Sequence, residues 1–283
     1  MTDGLFLLTS ATGGLELSGR WFIVLIPLAA LLYLHRTRTT YGELLREVAL
    51  VLLGYFAYFL VRGATEGSLE TATAHAYDIV RFERDLGLFQ EGRMQEQISD
   101  RQWMVDLSNW VYIWGHWPVI ALVATWLLLA RRPTYYLYRN AFVISGAIGL
   151  FIFALYPLAP PRLVDLGIVD TVTLHSHAYR VLQPPALVNQ YAAMPSLHFG
   201  WNLLIGIALV HEAPRIEARI FGLVLVPVMW LSVILTGNHY IIDTIAGAGL
   251  ALFGLGMSWL LANWQSSRDL RQRPGVEIRS LTR

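Results

Sequence analysis

Long apolar runs separated by short polar turns dominate the chain. A bilayer core needs about 20 mostly apolar residues per helix, and seven runs approach that length: 21–35, 44–61, 110–130, 139–156, 197–211, 220–236 and 240–264. The first and fifth are short and could extend by a turn at either end. The pattern predicts an all-α fold, a polytopic membrane helix bundle of about seven spans. The first run follows an acidic, Gly-rich stretch with no basic segment before it, so it reads as a span and not as a cleaved signal peptide.

One extended polar stretch, 63–109, interrupts this pattern. Within 72–86, apolar Ala76, Ile79, Val80, Phe82 and Leu86 alternate with His75, Asp78, Arg81, Glu83 and Arg84 at helical spacing. That predicts a helix lying at the membrane interface, with a lid over a site as the other reading. The last residues, 265–283, are polar, Arg-rich and contain Pro274, as expected of a tether that meets anionic headgroups. The chain therefore divides into two N-terminal spans (1–62), the amphipathic segment (63–109), a spanning core (110–264) and the tail (265–283).

Composition agrees: 55% of the 283 residues are hydrophobic, only 14% are charged, and mean hydropathy is +0.48. A soluble domain carries about a quarter charged residues, so a soluble globular enzyme is excluded, and no basic patch suggests nucleic acid. All 21 basic residues are Arg, and there is no Cys. That excludes thiolate and Lys Schiff-base chemistry and the Lys-dependent phosphate loop. With seven spans, Arg36, Arg38, Arg46, Arg131, Arg132, Arg139, Arg215, Arg219 and the tail arginines fall on one face. The positive-inside rule makes that face cytoplasmic, with the C-terminus inside and the N-terminus outside.

Three polar clusters at span ends then share the extracytoplasmic face: Tyr156-Pro157-Leu158-Ala159-Pro160-Pro161-Arg162, Met194-Pro195-Ser196-Leu197-His198, and Thr236-Gly237-Asn238-His239-Tyr240-Ile241-Ile242-Asp243. Polar groups in lipid are costly, so such clusters mark function. Pro195 and Ser196 read as the first turn of a helix whose free N–H groups attract an anion. His239 and Asp243 are four apart, on one face of a helix start. The carboxylate would hold the imidazole in one tautomer and leave its other nitrogen to attack. The Arg162 fork suits phosphate oxygens, and Gly237 and Asn238 complete the turn around the anion. His116, Arg84 and Tyr240 are candidate pocket residues. No set of residues has metal-ligand spacing, so no metal or other cofactor is expected.

These residues resemble the type 2 phosphatidic acid phosphatase (PAP2) superfamily, whose second and third motifs read PSGH and SR-x5-H-x3-D. They stand here as Pro195-Ser196-Leu197-His198 and as His239 with Asp243. Pro160-Pro161-Arg162, Gly237-Asn238-His239-Tyr240 and Phe82-Glu83-Arg84 before Leu86-Gly87-Leu88-Phe89 resemble the inositolphosphotransferase branch that includes inositolphosphorylceramide synthase. The resemblance implies a six-helix core and a metal-independent reaction. In it His239 forms a phosphohistidine, Asp243 orients it and His198 protonates the leaving oxygen. The substrate would be a membrane lipid or lipid-linked phosphate, and the acceptor an alcohol or water.

Two positions depart from the family. The Lys of its first motif falls on Leu155, and the Arg of its third on Val233. With two cationic ligands missing, a phosphodiester with one negative charge suits the site better than a monoester with nearly two. That favours headgroup transfer over a phosphatase acting on phosphatidic acid or polyprenyl phosphates. Arg84, Arg93, Arg180 and His116 are the groups that could compensate. A non-enzymatic transporter or scaffold is the third reading.

Overall fold

The computed structural model describes residues 40–64, 67–175 and 189–271. The expected span at 21–35 lies outside the described residues, as do Arg180 and the tail beyond Arg271. Two compact units divide the chain, Met1–Ala64 and Thr65–Arg283. The described part of the first is a single helix, α1 (Thr40–Ala64). The 25 residues make it about 37 Å long.

The second unit is helical throughout, with no strand among the described residues. In order it comprises α2 (Leu69–Asp85), α3 (Glu91–Ser99), α4 (Gln102–Trp114), α5 (Trp117–Ala130) and α6 (Arg132–Leu155). A 3-10 turn (Pro161–Leu163) and α7 (Thr171–His175) follow, then α8 (Leu197–Glu212), α9 (Ile216–Leu235) and α10 (Ile241–Arg271). The core is α8 packed on α9 and α10, with α6 against α10 and α4 against α9.

Among the described residues, three helices are long and apolar enough to cross a membrane: α6, α9 and the Ile241–Gln265 part of α10. Large apolar side chains stand outward on them, including Phe151, Leu155, Leu223 and Phe253, as lipid-facing surfaces require. The protein is an integral membrane helix bundle.

The third apolar run differs from its sequence reading. It begins earlier, at Gln102, and is broken into α4 and α5, which meet at a bend of 43°. Pro118 in the first turn of α5 cannot continue α4. A Cβ at Gly115 would lie 2.5 Å from the Val111 carbonyl oxygen, so the break also needs glycine. The fifth run, α8, has 16 residues, about 24 Å and shorter than a bilayer core. The expected tail from 265 starts as helix, because α10 runs on to Arg271.

The amphipathic segment forms α2 and α3, but its inward face is offset from the one expected. Ala72, Ala76, Ile79, Val80 and Glu83 are buried, whereas Phe82 and Leu86 are exposed. The α2 C-terminus closes through Gly87 at φ +70°, with Leu88 N–H donating to the Glu83 carbonyl and Gly87 N–H to that of Arg84. This left-handed turn is a conformation glycine adopts freely, and it leads into α3 with Glu91 in the first helical turn.

Candidate active site

Close backbone contact brings α8 and α10 together. A Cβ at Gly247 would meet the Ser196 carbonyl oxygen at 2.1 Å, and one at Gly200 would meet the Gly247 oxygen at 2.4 Å. Small residues at such crossings let membrane helices approach. The Ser196 amide donates to the Asp243 carbonyl at 2.9 Å. Ser196 is the N-cap of α8, one residue ahead of the helix rather than inside its first turn. Its hydroxyl accepts from Phe199 N–H, and it is wholly buried.

A short parallel bridge between Leu158 and Ala192 joins the first two clusters, and the Ala159 amide ties the same strip to the Ala72 carbonyl of α2. The bridge leaves the Ala193 carbonyl turned to the third cluster. There it lies 2.8 Å from His239 Nδ1. A carbonyl only accepts, so Nδ1 carries the proton and the lone pair is on Nε2. Asp243 Oδ2 is 3.5 Å from the same Nδ1, and it accepts the Tyr240 amide at 2.9 Å. The tautomer assigned from sequence to Asp243 is therefore set first by the Ala193 carbonyl. Asp243 caps the turn and lies beside the ring.

His198 is held differently. Its ring stacks on Tyr112 with centroids 4.5 Å apart and, on the α4–α5 break, on His116 at 4.0 Å. His116 is 2% exposed, so it walls the slot without opening to solvent. Asn202, one turn along α8, donates to His116 Nδ1 and to the His198 carbonyl, each at 2.8 Å. Its donation leaves the other ring nitrogen of a neutral His116 protonated. The His198 and His239 rings lie 6.3 Å apart.

Arg162 reaches the same turn. Its amide donates to the Gly237 carbonyl at 2.9 Å, and its Nε donates to Asn238 Oδ1 at 3.0 Å. Asn238 is oriented in turn by donating to the Thr236 hydroxyl at 2.9 Å. Gly237, at φ +71°, has no room for a Cβ: Ile168, the Val169 carbonyl and Arg162 all lie within 3.2 Å of its position. Arg162 Nη1 pairs with Asp170 at 3.1 Å, and Asp170 also accepts the Thr173 amide at 3.0 Å. The local charge of the Arg162–Asp170 pair is thus zero.

Two pocket candidates lie apart from the two histidine rings. Tyr240 is 0% exposed in an apolar cluster with Val80, Leu158 and Ala193, and its hydroxyl donates to the Ala159 carbonyl at 3.2 Å. Burial, reinforced by the Asp243 charge, pushes its phenol well above the ordinary range. Arg84 is exposed on the outer face of α2, over the Phe89 ring. There it lines an open groove of about 410 Å³ with Arg93, while Glu83 beside it points inward.

The structure adds groups that sequence reading missed. Tyr112 lies one helical turn before His116, a spacing that could have linked them. Asp170 carried no motif, and the Ala193 carbonyl is backbone, invisible to any residue pattern. Glu83 and Glu91 accept the Ile242 and Ile241 amides at 2.7 and 2.8 Å, capping α10 beside the His239–Asp243 turn.

Over 83 residues the chain is 35% identical to the inositol phosphorylceramide synthase catalytic subunit aur1 of Schizosaccharomyces pombe. The aligned part is 29% of this chain and 19% of that protein, so the chain spans only a small part of the curated relative it matches. No solved structure matches. The PAP2 superfamily profile covers residues 77–257, from α2 through the α10 turn that carries Asp243, with both histidines inside. The chain belongs to the PAP2 superfamily.

Proposed function

We propose that this protein is a membrane phosphotransferase in which His239 attacks a lipid or lipid-linked phosphodiester and passes the phosphoryl-headgroup to an acceptor alcohol. The observation that carries the reading is the donation from His239 Nδ1–H to the Ala193 carbonyl, which leaves Nε2 with its lone pair. Nε2 bonds to phosphorus as the bond from phosphorus to the lipid oxygen breaks. His198 gives its proton to that leaving oxygen. In the second step the acceptor hydroxyl passes its proton to His198 as its oxygen bonds to phosphorus, and the phosphorus–nitrogen bond breaks. The 6.3 Å between the two ring centroids sets both imidazoles within reach of one substrate phosphate.

Transfer of a diester headgroup is favoured over monoester hydrolysis because Asp170 already neutralises Arg162. A site of so little net positive charge suits one negative charge better than two. The partial relative is itself named an inositol phosphorylceramide synthase catalytic subunit, which supports an inositol-containing donor. The Arg distribution supports an extracytoplasmic site, with the C-terminus in the cytoplasm.

The test supplies purified protein with phosphatidylinositol or phosphatidic acid labelled at phosphorus, with and without acceptor alcohols. Label passing from phosphatidylinositol to the added alcohol is the expected result. Release of free phosphate from phosphatidic acid alone would establish the phosphatase reading instead.

A further inference from the structure

A helix N-terminus is usually capped by one short polar side chain, Ser, Thr, Asp or Asn, but the start of α10 is held by three carboxyl groups, two of them from distant helices. Asp243 accepts the Tyr240 amide from within the helix. Glu91 of α3 and Glu83 of α2 reach across 150 and 159 residues of chain to accept the Ile241 and Ile242 amides. All three are 0% exposed. Each glutamate uses Oε1 for its amide, and each Oε2 is buried with no donor to satisfy it. The amides they cap are adjacent in the chain, so the two carboxyl groups are held side by side. An ionised carboxylate only accepts, and two of them buried side by side repel. One proton held by the pair removes that repulsion.

We propose that Glu83 and Glu91 share one proton, and that this acid pair is the positioning clamp that holds the start of α10, and with it His239 and Asp243, in working register. The inference rests on the reading of His239 as nucleophile. The ionisable groups facing the pair are Asp243 and Tyr240 of the α9–α10 turn, with His239 beyond Asp243. None of these offsets a second negative charge at neutral pH except by protonation. Burial first, then the Glu91 hydrogen bond and charge, lifts the Glu83 carboxyl to about 9, against the lowering pull of the Ile242 amide. A carboxyl raised in the folded state contributes most stability below its unfolded value. That contribution declines as pH rises from about 4.5 to about 9, because the unfolded chain releases the proton first.

Two measurements test the clamp. In infrared titration of the purified protein, a carbonyl band of a protonated carboxylic acid is expected at pH 7. It should vanish near pH 9 and be absent in Glu83→Gln and Glu91→Gln. The second follows diacylglycerol release from mixed micelles of phosphatidylinositol and phosphatidic acid against pH. Glu83→Ala is expected to lose about a hundredfold in kcat, the scale of a misplaced reacting group, with KM little changed. Glu83→Gln, whose amide donates permanently to Glu91, is expected to restore most of that loss and to move the alkaline limb of the profile upward. Equal losses in both variants, an unmoved alkaline limb, or an acid band that is missing at pH 7 or survives both glutamine changes would overturn the proposal. Retained turnover in His239→Ala would sink the catalytic reading instead, and the infrared result would still decide the shared proton.

Discussion

His239 and His198 face each other, yet the fold holds them by opposite means. His239 is 6% exposed, sits in a turn tied to α9 and α10, and donates from Nδ1 to a backbone carbonyl. His198 is half-buried and is gripped by its ring faces, between Tyr112 and His116. A nucleophile gains from a fixed tautomer and direction. A group that must give up and regain a proton gains from being held in place at the reacting atoms, here by stacking on its ring faces. The contrast matches the two roles assigned to the pair, and it states where each should be fragile.

The largest expected effect is His239→Ala. Removing a nucleophile costs about six orders of magnitude where the catalytic unit acts as a whole, so lipid turnover should fall to background in a protein that still folds. His198→Ala should cost about 10²- to 10⁴-fold in kcat, and a substrate with a better leaving group should recover part of it. Recovery in His239→Ala as well would break the comparison. Asp243→Asn should cost less than either, about tenfold to a hundredfold in kcat, because the Ala193 carbonyl still sets the tautomer and the new side-chain oxygen can still accept the Tyr240 amide. A loss as deep as that of His239→Ala would show that Asp243, not the carbonyl, controls the ring.

Gly247→Ala probes the contact that sets the histidines at their separation. A Cβ there meets the Ser196 backbone, and overpacking of this kind costs about 1–3 kcal/mol, read as a lower Tm in detergent together with lost activity. Asp170→Asn gives the smallest change. It leaves Arg162 with its full charge and should raise monoester hydrolysis relative to diester transfer by about two- to fivefold, about the size of one screened surface pair.

Much of this was legible in the chain. His198, His239 and Asp243 announce themselves because polar groups at the ends of apolar runs must have a reason to be there, and their spacing places two of them on one helical face. The break at Gly115–Pro118 was equally visible in residue type, but run length alone favoured one continuous span, and the slot around His198 went unseen with it. Phe82 and Glu83 show the other limit. Hydrophobicity put Phe82 inward and Glu83 outward, whereas the unpaired amides at the start of α10, more than 150 residues away, pull Glu83 into the core. Phe82 is left exposed on the outer face. Backbone acceptors such as the Ala193 carbonyl leave no mark in a residue string, so the atom that sets the His239 tautomer came only from the fold.

The central claim is a covalent bond from His239 to phosphorus. The direct measurement mixes purified protein with phosphatidylinositol in the absence of acceptor and quenches within the first turnover at alkaline pH, where a phosphorus–nitrogen bond survives. Mass spectrometry then reads the peptide containing His239. The account predicts inositol phosphate attached to His239 in the wild type and none in His239→Ala. Turnover with no adduct on His239, or an adduct on His198, would contradict it.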